Sequence, residues 1–166
     1  MMRRYLSPAK LNLFLHVTGR RQDGYHNLQT LFQLLNWGDE MTFSPNHSGQ
    51  ITVDCNDPSV TTEDNLAYRA AVLLQQQSRA HQCGVDISLQ KRIPTGAGLG
   101  GGSSNAATTL LALNELWQIN LHMTDLMAMG RTLGADVPVF IEGHSAWAEG
   151  IGEQLIPVTL PHWDYL

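Results

Sequence analysis

The chain has 166 residues, 43% hydrophobic and 15% charged, with 10 Lys+Arg against 15 Asp+Glu and a formal net charge of −5. That length carries one domain, or one domain and the beginning of another, around a sizeable core, and the composition excludes a disordered tail and a membrane protein. The acidic balance excludes whole-surface binding to a nucleic-acid backbone, so any phosphate is expected to be held locally, by backbone amides and one or two placed cations.

The first eight residues, Met1-Met2-Arg3-Arg4-Tyr5-Leu6-Ser7-Pro8, start basic but lead into no apolar run, so they do not read as a signal peptide. Leu11, Leu13, Leu15 and Val17 alternate on one face of a strand, and the polar stretch 19–24 turns the chain into a second extended run over 28–35. Short strands are predicted at 41–43 and 51–53, with a loop at 44–49. From Asn65 the period changes: Leu66, Ala70, Leu73, Leu74 and Gln77 lie on a helix face, with Asp64 placed as its N-cap. Val85, Ile87 and Leu89 alternate in a strand that runs into a glycine-rich stretch. A helix is predicted from about Ser103, with Ala106, Ala107, Leu110, Leu111, Asn114 and Trp117 at helical spacing. A second helix over 124–132 is stopped by Gly134, and strands at 145–148 and 154–156 close the pattern. Strands first and strand–helix alternation afterwards favour an α+β sandwich over a doubly wound sheet. The domain is expected to span 1–156, with 157–166 either a frayed tail or the start of a further domain.

Cys55 and Cys83 are the only cysteines, and no C-x-x-C or paired-His spacing accompanies them. They read as two reduced thiols of a cytoplasmic protein. His16, His47, His81, His122, His144 and His162 show no ligand spacing, and Trp37, Trp117, Trp147 and Trp163 read as core or half-buried anchors.

The strongest signal is Pro94-Thr95-Gly96-Ala97-Gly98-Leu99-Gly100-Gly101-Gly102-Ser103-Ser104-Asn105, with five glycines in seven positions. Glycines let the backbone approach a ligand closely, and the helix behind them presents unpaired N–H groups at its positive end. Such a pairing forms an anion site suited to a di- or triphosphate. Gly96, Gly98 and Gly101 formally satisfy G-x-G-x-x-G, which keeps a dinucleotide-dependent oxidoreductase open. Against it, Lys91-Arg92-Ile93-Pro94-Thr95 separates the strand from the glycines, and Glu115, the nearest following acid, lies inside a helix pattern. A Walker loop needs a lysine after its glycines, and none follows here. Ser103 and Ser104 add hydroxyl donors, of which Ser104 is assigned as a Mg²⁺ contact.

Pro-Thr-Gly-Ala-Gly-Leu-Gly-Gly-Gly-Ser-Ser-Asn-Ala-Ala resembles the phosphate loop of the GHMP kinases. Ser7-Pro8-Ala9-Lys10-Leu11-Asn12-Leu13, Asp23-Gly24-Tyr25-His26-Asn27-Leu28 and Leu133-Gly134-Ala135-Asp136-Val137-Pro138-Val139-Phe140 extend that likeness in order from about Ser7 to Glu153. The resemblance implies the family's N-terminal α+β domain, a layer like the second domain of ribosomal protein S5. It implies transfer of the ATP γ-phosphate, with Mg²⁺, to the 2-hydroxyl of the small molecule 4-diphosphocytidyl-2-C-methyl-D-erythritol. It implies no nucleic-acid or membrane partner, and leaves the oligomeric state open. A non-catalytic RNA-binding module of S5-like shape is the third reading, and the acidic balance speaks against it.

Residue by residue, the resemblance makes Asp136 the catalytic aspartate and Lys10 the lysine beside it. A loose phosphoryl-transfer transition state needs little early proton removal, so Asp136 is expected to align the hydroxyl and take its proton late, while Lys10 stabilises charge on the moving phosphate. Pro94 and Gly96 through Asn105 would cradle ATP phosphates, with Asn65, Leu66 and Lys91 around the adenine. Tyr25 and His26 would hold the cytosine, and Asn12, one pleat from Lys10, would contact the substrate. Without the resemblance, Asp136 reads as a turn residue and Asn65 as a helix cap.

Overall fold

In the computed structural model, residues 2–22, 24, 26–77, 82–152 and 154–161 are described; Tyr25, His81, His162 and Trp163 lie outside them. The elements run β1 (Arg3–Arg20), β2 (His26–Asn46), β3 (Ile51–Cys55), α1 (Leu66–Gln77), β4 (Gly84–Gln90), α2 (Gly101–Leu116), α3 (Met123–Leu133), α4 (Val137–Glu142), β5 (Ala146–Glu149) and β6 (Gln154–Pro157). Strand order is β3-β4-β2-β5-β6, with β1 paired to β2. Among the described residues only β3 and β4 pair in parallel; the other pairings are antiparallel. A Rossmann unit runs from the helix behind its glycine turn into a strand that pairs in parallel with the one before it; here α2 leads into α3, and β5, the next strand, pairs antiparallel with β2, which removes the dinucleotide reading.

The long strand β2 organises the sheet. Its C-terminal half, Glu40–Asn46, pairs with β4, and Thr30–Phe32 pairs with β5. The predicted run 28–35 and the predicted strand 41–43 are thus parts of one strand. Helix α2 covers the centre, burying Ala106, Ala107, Leu110 and Leu113 against a core that includes Met41, Phe43, Leu74, Ile87 and Leu89. Small alanines on the buried face of α2 let the helix lie close to its neighbours. The helix predicted from Ser103 begins two residues earlier, at Gly101.

Helix α4 is absent from the sequence reading. Its six residues, Val-Pro-Val-Phe-Ile-Glu, are too few for a 3.6 period to register, and five of them are buried. Helix α1 is capped by Asn65, whose Oδ1 accepts the Ala67 N–H at 3.0 Å. Asp64, the expected cap, instead accepts a hydrogen bond from the Thr61 hydroxyl.

The apolar stripe of β1 does not face the core. Leu13, Leu15 and Val17 are 42%, 51% and 60% exposed, because the buried part of β1 is confined to Ser7, Ala9 and Lys10, where α2 packs. Trp37, expected to be buried or half-buried, is 44% exposed. Val158 N–H still donates to Ser145 O, so the sheet continues past residue 156. No helix of the described residues is long and apolar enough to cross a membrane.

Candidate active site

The site is built where β1, the glycine loop and the α3–α4 turn converge. The register of β1 against β2 shifts between Pro8 and Lys10. Strict alternation would put Ala9 and Lys10 on opposite faces; with the irregularity both are buried. The Lys10 N–H donates to Leu99 O at 3.0 Å, fastening the glycine loop to β1. Its ammonium lies 3.1 Å from Asp136 Oδ2, donates to Asn12 Oδ1, and stands 5.1 Å from the Phe32 ring centroid. Asn12 is itself oriented, since its Nδ2 donates to Thr30 Oγ1 and the Thr30 hydroxyl donates to Phe14 O.

Asp136 occupies the N-cap position of α4 yet makes no side-chain capping bond. Its carboxylate is directed to Lys10 and keeps 34% side-chain exposure, against 6% for Lys10. The lysine is sequestered, and the aspartate retains an open side on which a hydroxyl can be received.

Gly96, Gly98 and Gly100 have φ of +77°, +76° and +73°, a left-handed conformation at every second residue that concentrates backbone N–H groups in one concavity. At Gly100 space forbids a side chain as well: a Cβ would lie 2.7 Å from Phe140 Cζ and 3.1 Å from Lys10 Cγ. Gly100 is also the N-cap of α2 and provides no side-chain cap. The amides of Gly101, Gly102 and Ser103 have no intrahelical acceptor by the geometry of a helix start, and the first closing bond is Ser104 N–H to Gly100 O. A helix start left without a side-chain cap is suited to an external anion.

On one side of the loop opens a cavity of about 210 Å³, whose lining includes Asn65, Leu66, Leu89, Lys91, Pro94, every residue from Gly96 to Gly102 and Asn105. Asn65 lies in the wall, but its carbonyl oxygen serves the α1 cap. Lys91 lies in the wall too; its ammonium pairs with Asp39 and donates to Asn105 Oδ1 at 3.1 Å.

The structure separates other sequence-derived assignments. Ser104 is fully buried and its hydroxyl is hydrogen-bonded to Ser7 at 2.9 Å, so it does not offer a metal an open face. The half-exposed Ser103 does, and its hydroxyl lies beside Gly134 at the turn leading to Asp136. The Asn105 amide points inward, to Ser7 and Asp39 at 2.9 Å each. His26 is exposed at the far end of the hairpin, paired with Arg20, whereas Lys10 pairs with Leu34. Eight residues of strand at about 3.3 Å each separate these rungs. Tyr25 lies outside the described residues.

Sequence reading missed Asp39. It is wholly buried and accepts from Lys91, the Arg92 and Ile93 N–H groups and Asn105. An aspartate in Trp-Gly-Asp-Glu looks like an ordinary turn residue, and only tertiary structure encloses it.

The family model for the GHMP kinases N terminal domain matches residues 65–144. The chain is 60% identical over 154 residues to a 4-diphosphocytidyl-2-C-methyl-D-erythritol kinase of Chromohalobacter salexigens, covering 93% of this chain and 51% of that protein. It therefore spans about half the length of that curated relative. A crystal structure of 4-(cytidine 5'-diphospho)-2C-methyl-D-erythritol kinase superposes with a TM-score of 0.83 at 48% identity, over 96% of this chain and 56% of that one. Homoserine kinase from Cytophaga hutchinsonii matches at a TM-score of 0.68 and 16% identity, over 96% of this chain and 52% of its own, which shows the shared fold. With a strand–glycine loop–helix unit placed against Lys10 and Asp136, and with these likenesses along nearly its whole length, the chain has the fold of the GHMP kinase N-terminal domain.

Proposed function

We propose that this domain binds ATP and supplies the phosphoryl-transfer groups of a kinase acting on the 2-hydroxyl of 4-diphosphocytidyl-2-C-methyl-D-erythritol. The observation that carries the proposal is the Lys10–Asp136 pair, 3.1 Å apart, which joins the start of α4 to the strand whose Lys10 N–H fastens Leu99 of the glycine loop. Phosphates seated on amides 96–103 stand beside both groups. The substrate hydroxyl oxygen attacks the γ-phosphorus, the bond to the β–γ bridging oxygen breaks, and the hydroxyl proton passes late to Asp136. Lys10 holds the carboxylate in place and offsets negative charge on the transferring group.

Mg²⁺ bound with nucleotide usually keeps several waters and takes most remaining ligands from phosphates, with few from protein. The residues fit that arrangement: no group of three His, Cys, Asp or Glu side chains able to hold a metal occurs among the described residues, and Ser103 offers one hydroxyl. Bound there, the ion would screen phosphate charge. His26, exposed at the far end of the β1–β2 hairpin, and, by the resemblance, Tyr25 would contact the cytosine. The unpaired thiols of Cys55 and Cys83 accord with a reducing, cytoplasmic setting.

The test has two parts. Titration of the 166-residue chain with a fluorescent ATP analogue and Mg²⁺ is expected to show binding displaced by ATP and not by NADH or RNA. Phosphorylation followed by ³¹P NMR is expected to be slight for the chain alone. It should be restored when the chain is fused to the C-terminal half of the Chromohalobacter relative. A chain that binds NADH or RNA in preference to ATP, or a folded fusion without transfer, would overturn the proposal.

A further inference from the structure

The mechanism above makes no use of Asp39, the most deeply enclosed carboxylate described. Its Oδ1 accepts the backbone N–H groups of Arg92 at 2.7 Å and Ile93 at 2.8 Å. Its Oδ2 accepts the Lys91 ammonium and Asn105 Nδ2. Asn105 continues to Ser7 Oγ, and Ser7 to Ser104, both at 2.9 Å. Arg92 and Ile93 immediately precede the glycine loop, whereas Ser104 and Asn105 lie in the first turn of the helix behind it. Ser7, three residues from Lys10, faces Asp39 across the β1–β2 ladder.

From this we infer that Asp39 is a positioning residue for nucleotide: one buried carboxylate pins both ends of the 94–103 segment, and the ATP affinity of the loop depends on it although it touches no ligand. Three left-handed glycines leave the intervening backbone with many accessible conformations, so the amides converge on phosphate only if both ends are held. Burial makes the arrangement one-sided. Removing the negative charge leaves the Lys91 ammonium unpaired, whereas removing both charges does not.

The inference rests on the proposed ATP binding, and the test keeps the two apart. Amide hydrogen exchange, without nucleotide, is measured for the parent chain, Asp39→Asn, the charge-compensated Asp39→Asn/Lys91→Gln and, as the mildest cut, Asn105→Ser. Affinity for the fluorescent ATP analogue is measured in parallel. Amides 94–103 are expected to exchange at least about tenfold faster in the variants that fold, with α3 and β5 unchanged, and ATP affinity to fall by about the same factor. In the fusion, Asp39→Asn should raise KM for ATP while kcat stays within about threefold. Loop exchange and affinity within about twofold of the parent in any folded variant of the set would overturn the inference, and Asn105→Ser serves if the Asp39 variants do not fold. A parent chain with a protected loop that binds no ATP would refute the functional proposal instead, since the exchange comparison uses no ligand.

Discussion

Gly100→Ala compared with Gly96→Ala separates two reasons for a glycine. Both residues are left-handed, with φ near +75°, and an alanine forced into that region costs about 1–2 kcal/mol. A Cβ at Gly96 meets nothing within 4 Å, so conformational strain is its whole penalty. At Gly100 the same atom lies 2.7 Å from Phe140 Cζ and 2.9 Å from Cε2. Phe140 is 5% exposed and cannot swing into solvent. Overpacking of this kind adds about 1–3 kcal/mol. Gly100→Ala is therefore expected to destabilise by about 2–5 kcal/mol and Gly96→Ala by about 1–2, read as midpoint shifts in urea at unchanged slope. Lys10 Cγ, 3.1 Å from the added carbon, is displaced as well. Gly100→Ala should thus weaken ATP binding more than Gly96→Ala does. Equal destabilisation by the two, within about 0.5 kcal/mol, would refute the assignment of Gly100 as the contact between loop, β1 and α4.

Asp136→Asn in the fusion is expected to lower kcat by about 10²-fold or more, and a loss of under about tenfold would remove the carboxylate from the reaction. Asn65→Ala should cost about 1 kcal/mol by uncapping α1, measured by chemical denaturation, and an unchanged midpoint would contradict the cap. Asp57 is held below its ordinary value of 3.8 chiefly by the Ser59 hydroxyl, then the Ser59 N–H and the Thr95 hydroxyl. A lowered folded-state value means its contribution is present in full above the ordinary value and is lost as pH falls through the lowered one. Because Thr95 opens the glycine loop, urea midpoints of the parent should fall over that acid range with a component that Asp57→Asn lacks.

What could be read from the amino acids followed the range of the interactions concerned. The glycine loop was legible because left-handed backbone demands glycine locally, and α2 because its alanines and leucines recur at helical spacing. Gly134 ended α3 where expected. The stripe of Leu13, Leu15 and Val17 misled, since period-two spacing identifies a face without saying what covers it. Helix α4 was too short for periodicity, and the cap moved from Asp64 to Asn65 because two adjacent polar residues satisfy the same pattern. The Lys10–Asp136 contact joins residues 126 positions apart; it was expected only through resemblance, as spacing alone does not determine a pair so distant. Asp39 had neither periodicity nor resemblance to mark it.

The chain contains two lysines, Lys10 and Lys91, and each faces a carboxylate in a different setting. Lys91 and Asp39 are closed on both sides, with side-chain exposures of 10% and 0%, and the remaining carboxylate valences are taken by amides that cannot leave without moving the chain. Such a pair has no free valence on its carboxylate for a reactant, and its separation would strand a charge in low dielectric. Lys10 and Asp136 are closed on one side only: the lysine is buried among Asn12, Phe32 and Gly100, while a third of the aspartate side chain is exposed. A hydroxyl can approach that carboxylate without displacing the ammonium, and the ammonium can remain fixed while phosphate charge shifts beside it. Exchanging the two pairs would leave the composition unchanged and remove the proposed chemistry, because it is the open side of the carboxylate that suits the second pair to receive a hydroxyl. The closed pair, with no such open side, is suited to holding the loop in place rather than to receiving a reactant.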